Sequence, residues 1–119
     1  MVLERLFVYG TLMQGESRHA VLRRGRAVRG RPAWVAGRLL DLGAFPGLVD
    51  GRGRVAGELI EVEPLAGLLP VLDELEGSRF TRVKREVETA GGAMEAWVYV
   101  WAGPRGAGRV IASGDWRRR

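Results

Sequence analysis

Residues 80–101 read FTRVKREVETAGGAMEAWVYVW, two strand-like segments separated by a pair of glycines. From residue 80 to residue 89, and again from residue 94 to residue 101, successive side chains alternate between two faces, which is the period of a β-strand. The pair Gly91-Gly92 suits the tight turn of a hairpin, because glycine adopts the backbone conformations that such turns require. The stretch therefore predicts an antiparallel β-hairpin.

The segment before this hairpin has helical periodicity. Pro64 suits the first turn of a helix and Gly77 suits its end. Leucines recur between them at the spacing of one helix face: Leu65, Leu68, Leu69, Leu72 and Leu75. Pro70 lies in the middle of the segment, so we expect a kink or two short helices in tandem.

The N-terminal half of the chain predicts more strands. Residues 6–9, 33–42 and 55–62 are rich in apolar and β-branched side chains, and Gly57 marks a bulge or a close approach of another chain segment. Ser17 is a candidate cap for a short helix through Leu22, ended by Gly25. The expected breaks are an exposed loop over residues 25–32 and turns at residues 44–47 and 51–53.

Many strands and one main helix in 119 residues indicate an α+β fold. Turn residues between short strands favour a small barrel-like sheet over a flat one, and antiparallel hairpins can build it without long crossovers. We find no internal repeat and no domain boundary. The prediction is a single domain over residues 1–119, with an irregular tail from about residue 103 to residue 119.

Composition excludes several classes of protein. The chain has no cysteine, which excludes disulfides, thiolate catalysis and sulfur-ligated metal, and which fits a reducing cytoplasm. The N-terminal residues lack the pattern of a signal peptide, and no segment approaches the roughly 20 apolar residues that span a bilayer. We therefore expect a cytoplasmic protein with no membrane partner.

The net charge of +5 comes almost entirely from arginine, since Lys84 is the only lysine. Arginines cluster within residues 23–31 and at residues 117–119, but no aromatic side chains are interleaved with them in the manner of base-stacking motifs. Nucleic acid is therefore an unlikely partner. A solvated arginine-rich surface is the simpler interpretation, and a polyanion binder is the weaker alternative.

One carboxylate stands out on the predicted helix. At about 100° per residue, Glu76 falls inside the leucine stripe, whereas Glu74 points to the opposite side and Asp73 lies on the flank. Burial of an unpaired carboxylate raises its pKa, and the partial negative charge of a helix C-terminus acts in the same direction. Glu76 is thus a candidate for proton transfer near neutral pH. The alternative is a structural ion pair with Arg79 or Arg82.

A glycine turn follows the first predicted strand, at Tyr9, Gly10, Thr11 and Leu12. Consecutive backbone N–H groups in such a turn can bind an anion such as a carboxylate, although an ordinary strand-ending turn has the same sequence. His19 is the only histidine, and no nucleophile elbow accompanies it. Phosphate-loop and calcium-loop spacings are absent, so we expect no cofactor and no metal.

Several short motifs occur in a specific order along nearly the whole chain. They are FVYGTL at residues 7–12, FPGL at residues 45–48, VAGEL at residues 55–59, LDELEG at residues 72–77, Arg82, and AWVYV at residues 96–100. In this order and spacing the chain resembles the γ-glutamylcyclotransferase-like family, which includes γ-glutamylamine cyclotransferases and AIG2-like proteins.

The resemblance implies a fold, an activity and a site. The family fold is a small mixed, mostly antiparallel β-barrel with a few short helices packed around it. The implied reaction releases 5-oxoproline and a free amine or amino acid from a small γ-glutamyl substrate. It assigns Glu76 as the general acid/base. It also assigns substrate binding to the glycine turn, with Arg82 and Tyr99 as further candidates.

The chain departs from the family pattern at Phe80. Phe80 stands where relatives commonly carry a tyrosine two residues before Arg82, which puts the identity of the substrate in doubt. The leaving amine and the oligomeric state are not predicted. The alternative to an enzyme is a non-catalytic module that binds a small ligand on the same fold.

Overall fold

The computed structural model describes residues 4–24, 26–63 and 65–119. Six strands and one α-helix lie in these ranges: β1 (Glu4–Val8), β2 (Arg26–Asp41), β3 (Pro46–Glu63), α1 (Leu65–Glu76), β4 (Phe80–Thr89), β5 (Gly92–Trp101) and β6 (Arg109–Val110). Three short 3₁₀ helices accompany them, at His19–Arg24, Arg105–Ala107 and Trp116–Arg118.

Strands β1 to β5 close into a barrel. The pairs β1–β3, β3–β2, β2–β4 and β4–β5 are antiparallel, and a parallel contact between β5 and β1, at Leu6 and Trp97, completes the circuit. Strand β6 extends the sheet beside β2. Closure leaves few unpaired strand edges, which stabilises a sheet of this size. The predicted α+β fold, a small mixed and mostly antiparallel barrel with short helices around it, is confirmed.

The barrel and α1 share one apolar core. Leu72 of α1 is 0% exposed, and the helix packs on β1 and β3. Burying a leucine side chain of this kind stabilises the fold by about 1.5–3 kcal/mol. The remaining side chains with 1% exposure or less come mainly from the strands and include Leu6, Phe7, Val55, Leu59, Ile60, Val87 and Val98.

Gly57 shows how tightly β1 and β3 pack. A Cβ at this position would lie 2.6 Å from Cζ of Phe7 and would collide with the backbone oxygen of Val8. The close approach predicted at Gly57 is confirmed.

The exposed loop predicted for residues 25–32 is wrong over residues 26–32, while Gly25 lies outside the described residues. Strand β2 already begins at Arg26, and its backbone pairs with β3 from Arg26↔Glu63 onward. A register shift between Val28 and Arg31 accommodates the irregular stretch. Pairing with a neighbouring strand outweighs the local preference of Gly, Arg and Pro for a loop.

The turn predicted at residues 51–53 is also wrong as a strand break. Strand β3 continues through it, but between the pairs Ala36↔Arg54 and Arg38↔Val49 a single residue of β2 faces residues 50–53 of β3. Gly37 and Gly53 have φ angles of +144° and +115°, which side chains other than glycine rarely adopt. The glycines therefore bend a continuous pair of strands in the manner of a bulge.

Short helical segments differ from expectation in detail. Residues 19–24 form a 3₁₀ helix, and its entry is set by hydrogen bonds that span three residues, such as Val21 N to Arg18 O at 3.1 Å. Helix α1 is one continuous helix that contains an exposed Pro70, rather than two helices in tandem. Pro64 lies outside the described residues.

The tail from residue 103 is anchored to the barrel. Ile111 and Trp116 are buried in the core, and Gly114 O accepts a hydrogen bond of 2.8 Å from Ala56 N of β3. None of the helices within the described ranges combines the length and the apolar character required to cross a bilayer.

Candidate active site

Glu76 is the last residue of α1 and faces a narrow pocket at one end of the barrel. Gly77, with a φ of +83°, ends the helix, and its N–H donates to the carbonyl of Asp73 at 3.1 Å. Because Leu72 anchors the preceding turn in the core, Glu76 is directed toward the barrel. The pocket is lined by Phe7, Val8, Tyr9, Gly10, Thr11, Leu12, Pro46, Glu76 and Tyr99.

The glycine turn forms one wall of the pocket, and Glu76 lines the same pocket. Met13 N donates to Gly10 O at 3.0 Å and Arg18 N donates to Thr11 O at 2.8 Å, which fixes the turn. Among the residues that the structure describes, no hydrogen bond is donated by the N–H groups of Gly10, Thr11 or Leu12. Consecutive N–H groups that are unpaired in a turn of this kind can bind an anion.

Tyr9 fixes the base of this turn. Its hydroxyl donates to the backbone oxygen of Tyr99 at 2.6 Å and accepts from Leu48 N at 3.1 Å. Burial raises the pKa of the Tyr9 phenol far above its ordinary value, so the group stays neutral. Tyr9 thereby ties β1 to β3 and β5 at the edge of the pocket.

The surroundings of Glu76 make it a weaker acid than a carboxyl in water. Burial raises the pKa of this carboxyl from its ordinary value of 4.5 to about 7, and the positive charge of Arg18 partly opposes the rise. Near neutral pH the group is therefore divided between its acid and its base forms. A carboxyl in this state can both accept and donate a proton.

Similarity to known proteins agrees with the geometry. The sequence profile described as "Gamma-glutamyl cyclotransferase, AIG2-like" matches residues 6–118. The chain belongs to the γ-glutamyl cyclotransferase, AIG2-like, family.

Individual relatives match most of the length of this chain. A Vibrio cholerae protein that bears the family's name is 37% identical over 117 residues, covering 96% of both chains. The Niallia circulans γ-L-glutamyl-butirosin B γ-glutamyl cyclotransferase is 36% identical over 108 residues, covering 83% of this chain and 67% of the relative. The crystal structure of a mouse AIG2-like protein superposes with a TM-score of 0.76 at 25% identity, covering 89% of this chain and 82% of the other.

These relatives carry the name of an enzyme class. The expectation of a γ-glutamylcyclotransferase-type enzyme is thus confirmed at the level of the family. The roles of individual residues stay predictions. The structure brings Glu76, Tyr99 and all four residues of the glycine turn to the same pocket.

Arg82 lies in a different place from the other predicted site residues. It lines a wider groove of about 540 Å³, on the other side of Tyr99, together with Asp73 and Phe80. Its guanidinium donates to Asp73 at 2.9 and 3.2 Å and lies 4.5 Å from the ring centre of Trp97. Arg82 thus forms an ion pair with Asp73. Arg79, the other arginine considered for Glu76, has an exposed side chain.

Asp73 lies next to the site and contacts Tyr99, and the sequence did not single it out. Its Oδ1 accepts hydrogen bonds from Arg82 and, at 2.6 Å, from the hydroxyl of Tyr99. The Arg82 hydrogen bond lowers the pKa of Asp73, and burial raises that of Tyr99. The sequence did carry a signal for Asp73, because this residue lies about one helical turn before Glu76 and therefore on a neighbouring part of the helix surface.

Two further observations bear on ligands. Phe80 packs edge-on against Trp101, with ring centres 5.3 Å apart, at the wall of the wider groove. Within residues 4–24, 26–63 and 65–119, no group of three or more His, Cys, Asp or Glu side chains is arranged to hold a metal ion.

Proposed function

We propose that this chain cleaves a small γ-glutamyl amide by intramolecular attack, with Glu76 as general acid and base. The observation that carries the proposal is the pocket shared by Glu76, whose pKa is raised by burial, and a turn whose N–H groups are not paired within the described residues. The products are 5-oxoproline and a free amine or amino acid.

The reaction balances without a co-reactant. Glu76 takes a proton from the α-ammonium group of the substrate, and the freed nitrogen attacks the γ-carbonyl carbon. The new C–N bond closes a five-membered ring and places a negative charge on the carbonyl oxygen. Glu76 then returns the proton to the departing nitrogen, and the original amide C–N bond breaks as the carbonyl re-forms. The second proton of the ring nitrogen passes to the released amine, so the products are the neutral lactam and an ammonium ion.

The pocket supplies the two remaining requirements. Nucleophile and electrophile belong to one molecule, so the site must fold the substrate into a reactive conformer rather than bring two molecules together. The N–H groups of Gly10, Thr11 and Leu12 would hold the α-carboxylate or the developing oxyanion. Both are anions, and the same donors suit either.

The names of relatives indicate what kind of leaving group to test first. One is named for γ-L-glutamyl-butirosin B, and a bovine relative, 37% identical over 121 residues, is named γ-glutamylaminecyclotransferase. The bovine name specifies a γ-glutamyl amine as the substrate. We propose an amine, rather than the thiol-bearing dipeptide of glutathione, as the leaving group here.

The test is release of 5-oxoproline from a panel of γ-glutamyl amines, γ-glutamyl amino acids and glutathione. Wild type should release it from at least one γ-glutamyl amine, and Glu76→Gln should lose more than about 100-fold in kcat, because general acid–base groups contribute about 10²–10⁴-fold. The matched control is Glu74→Gln, an exposed position on the same helix.

Two outcomes would overturn the proposal. Full activity of Glu76→Gln on a confirmed substrate would remove Glu76 from the chemistry. A wild-type protein that binds γ-glutamyl compounds but releases no 5-oxoproline across the panel would be a binding module on the same fold.

A further inference from the structure

The C-terminal segment reaches back to the loop that follows the glycine turn. Arg117 Nη2 donates to the backbone oxygen of Gln14, and its Nε lies 3.5 Å from the Glu16 carboxylate. Its Nη1 lies 3.8 Å from Glu58 of β3. One guanidinium thus contacts two residues of the loop and one residue of the barrel.

Glu58 holds the same loop from the barrel side. Its Oε1 accepts a hydrogen bond of 2.7 Å from Gln14 N, so the backbone N–H and C=O of Gln14 are both bound by charged side chains. Hydrogen bonds to charged groups are stronger than neutral ones. We call Glu16, Glu58 and Arg117, with the backbone of Gln14, the loop clamp.

The clamp is fixed at its C-terminal end as well. Arg117 N donates to Asp115 Oδ1 at 3.0 Å, and the neighbouring Trp116 is buried in the core. Gly114 is hydrogen-bonded to β3 through its carbonyl. The guanidinium therefore extends from an anchored backbone, so less conformational freedom is lost when it binds the loop than for a side chain on a free tail.

We infer that Arg117 is a positioning residue for substrate binding, which acts by holding the loop at residues 13–18 and through it the glycine turn. The inference rests on the function proposed above. The turn accepts backbone hydrogen bonds from Met13 and Arg18, and both donors belong to this loop. His19, which follows the loop, adds a contact of 2.8 Å between its Nδ1 and Leu12 O. Gln14 and Gly15 are exposed, so the clamp supplies restraint that core packing does not.

This arrangement predicts a separation between binding and chemistry. Loss of the clamp loosens the N–H donors that bind the substrate. Donors already held in one geometry lose less conformational entropy on binding, so loosened donors bind the substrate more weakly. Glu76 stands on α1, and the clamp contacts described above involve the loop, β3 and the C-terminal segment rather than that helix. A loosened loop should therefore raise KM and leave the proton-transfer group in place.

The test compares Arg117→Ala with Arg118→Ala. Arg118 is the neighbouring arginine, its side chain is 82% exposed, and its carboxylate partner is Asp115. We expect Arg117→Ala to raise KM about tenfold and to change kcat less than about twofold. Arg117→Lys should recover part of the loss, because a lysine keeps the charge but not the fork of donors.

Backbone amide exchange tests the clamp without substrate. In Arg117→Ala the amides of Met13 and Arg18 should exchange about tenfold faster, while amides of the β4–β5 hairpin keep their rates. Glu16→Gln removes one contact of the clamp and should show a smaller change in the same direction, which keeps the test open if Arg117→Ala does not fold.

The outcomes separate this inference from the proposed function. Absence of 5-oxoproline release by wild type refutes the function, and amide exchange then still tests the clamp. An unchanged KM in Arg117→Ala, an equal effect in Arg118→Ala, or faster exchange throughout the barrel would each refute the positioning role.

Discussion

Glu76→Gln should stabilise the folded chain, and the gain should depend on pH. A carboxyl whose pKa is raised by folding is costly to ionise in the folded state. Between pH 4.5 and about 7 the folded chain retains a proton that the unfolded chain releases, so the free energy of unfolding falls as pH rises through this window. Glutamine has nearly the same shape and carries no such proton.

The magnitude follows from the size of the pKa change. A rise from 4.5 to about 7 corresponds to about 3 kcal/mol, at about 1.36 kcal/mol for each pKa unit. We therefore expect Glu76→Gln and wild type to have similar stabilities near pH 4.5. Above about pH 7 the variant should be more stable by up to about 3 kcal/mol, a gain that accompanies the loss of activity.

The assay is urea denaturation of wild type, Glu76→Gln and the control Glu74→Gln at several pH values from about 4.5 to about 8. The control should follow wild type at every pH. A stability difference between Glu76→Gln and wild type that does not grow with pH would show that Glu76 is not desolvated, and the argument for its role in proton transfer would lose its physical basis.

Three further predictions test the site and the barrel that carries it. Tyr9→Phe should lower the free energy of unfolding by about 1–3 kcal/mol, because Leu48 N and a buried carbonyl lose their partner; an unchanged urea midpoint would contradict it. Gly57→Ala should lower the free energy of unfolding by about 1–3 kcal/mol, because the added methyl group overpacks the contact between β1 and β3. Urea denaturation measures this change, and an unchanged midpoint would show that β1 can shift. Arg18→Gln should move the rising limb of kcat/KM to higher pH, since Arg18 lowers the pKa of Glu76; a limb that stays in place would exclude this coupling.

The parts of the fold that could be predicted are those whose signals are local. The bounds predicted for β4, residues 80–89, agree with the structure, because alternation and the Gly91-Gly92 turn lie within the segment itself. The continuity of β2 and β3 could not be predicted in this way. Both strands pass through Gly- and Arg-rich stretches that resemble loops, and only their pairing with each other keeps them extended.

The same division applies to the site. Helical periodicity was enough to predict that Glu76 points toward the core, since the leucine stripe and the carboxyl lie on one helix. The loop clamp had no such signal, because Arg117 meets Gln14 across 103 positions of sequence. Contacts of this kind depend on barrel closure, which brings the C-terminal segment beside the turn after β1.

Asp73 and Glu76 lie about one turn apart on α1, yet their surroundings move their pKa values in opposite directions. Asp73 accepts hydrogen bonds from Arg82 and Tyr99, which favour its charged form, so it stays ionised and fixes its partners. Glu76 is desolvated beside the turn and holds its proton up to about neutral pH. Where the pKa values of two neighbouring carboxyls are pushed apart in this way, the carboxyl with the raised pKa is suited to proton transfer and the other to positioning. On this argument, Asp73→Asn should disturb the orientation of Tyr99 and leave the rising limb of kcat/KM near pH 7, whereas a limb that disappears would assign the proton transfer to Asp73 instead.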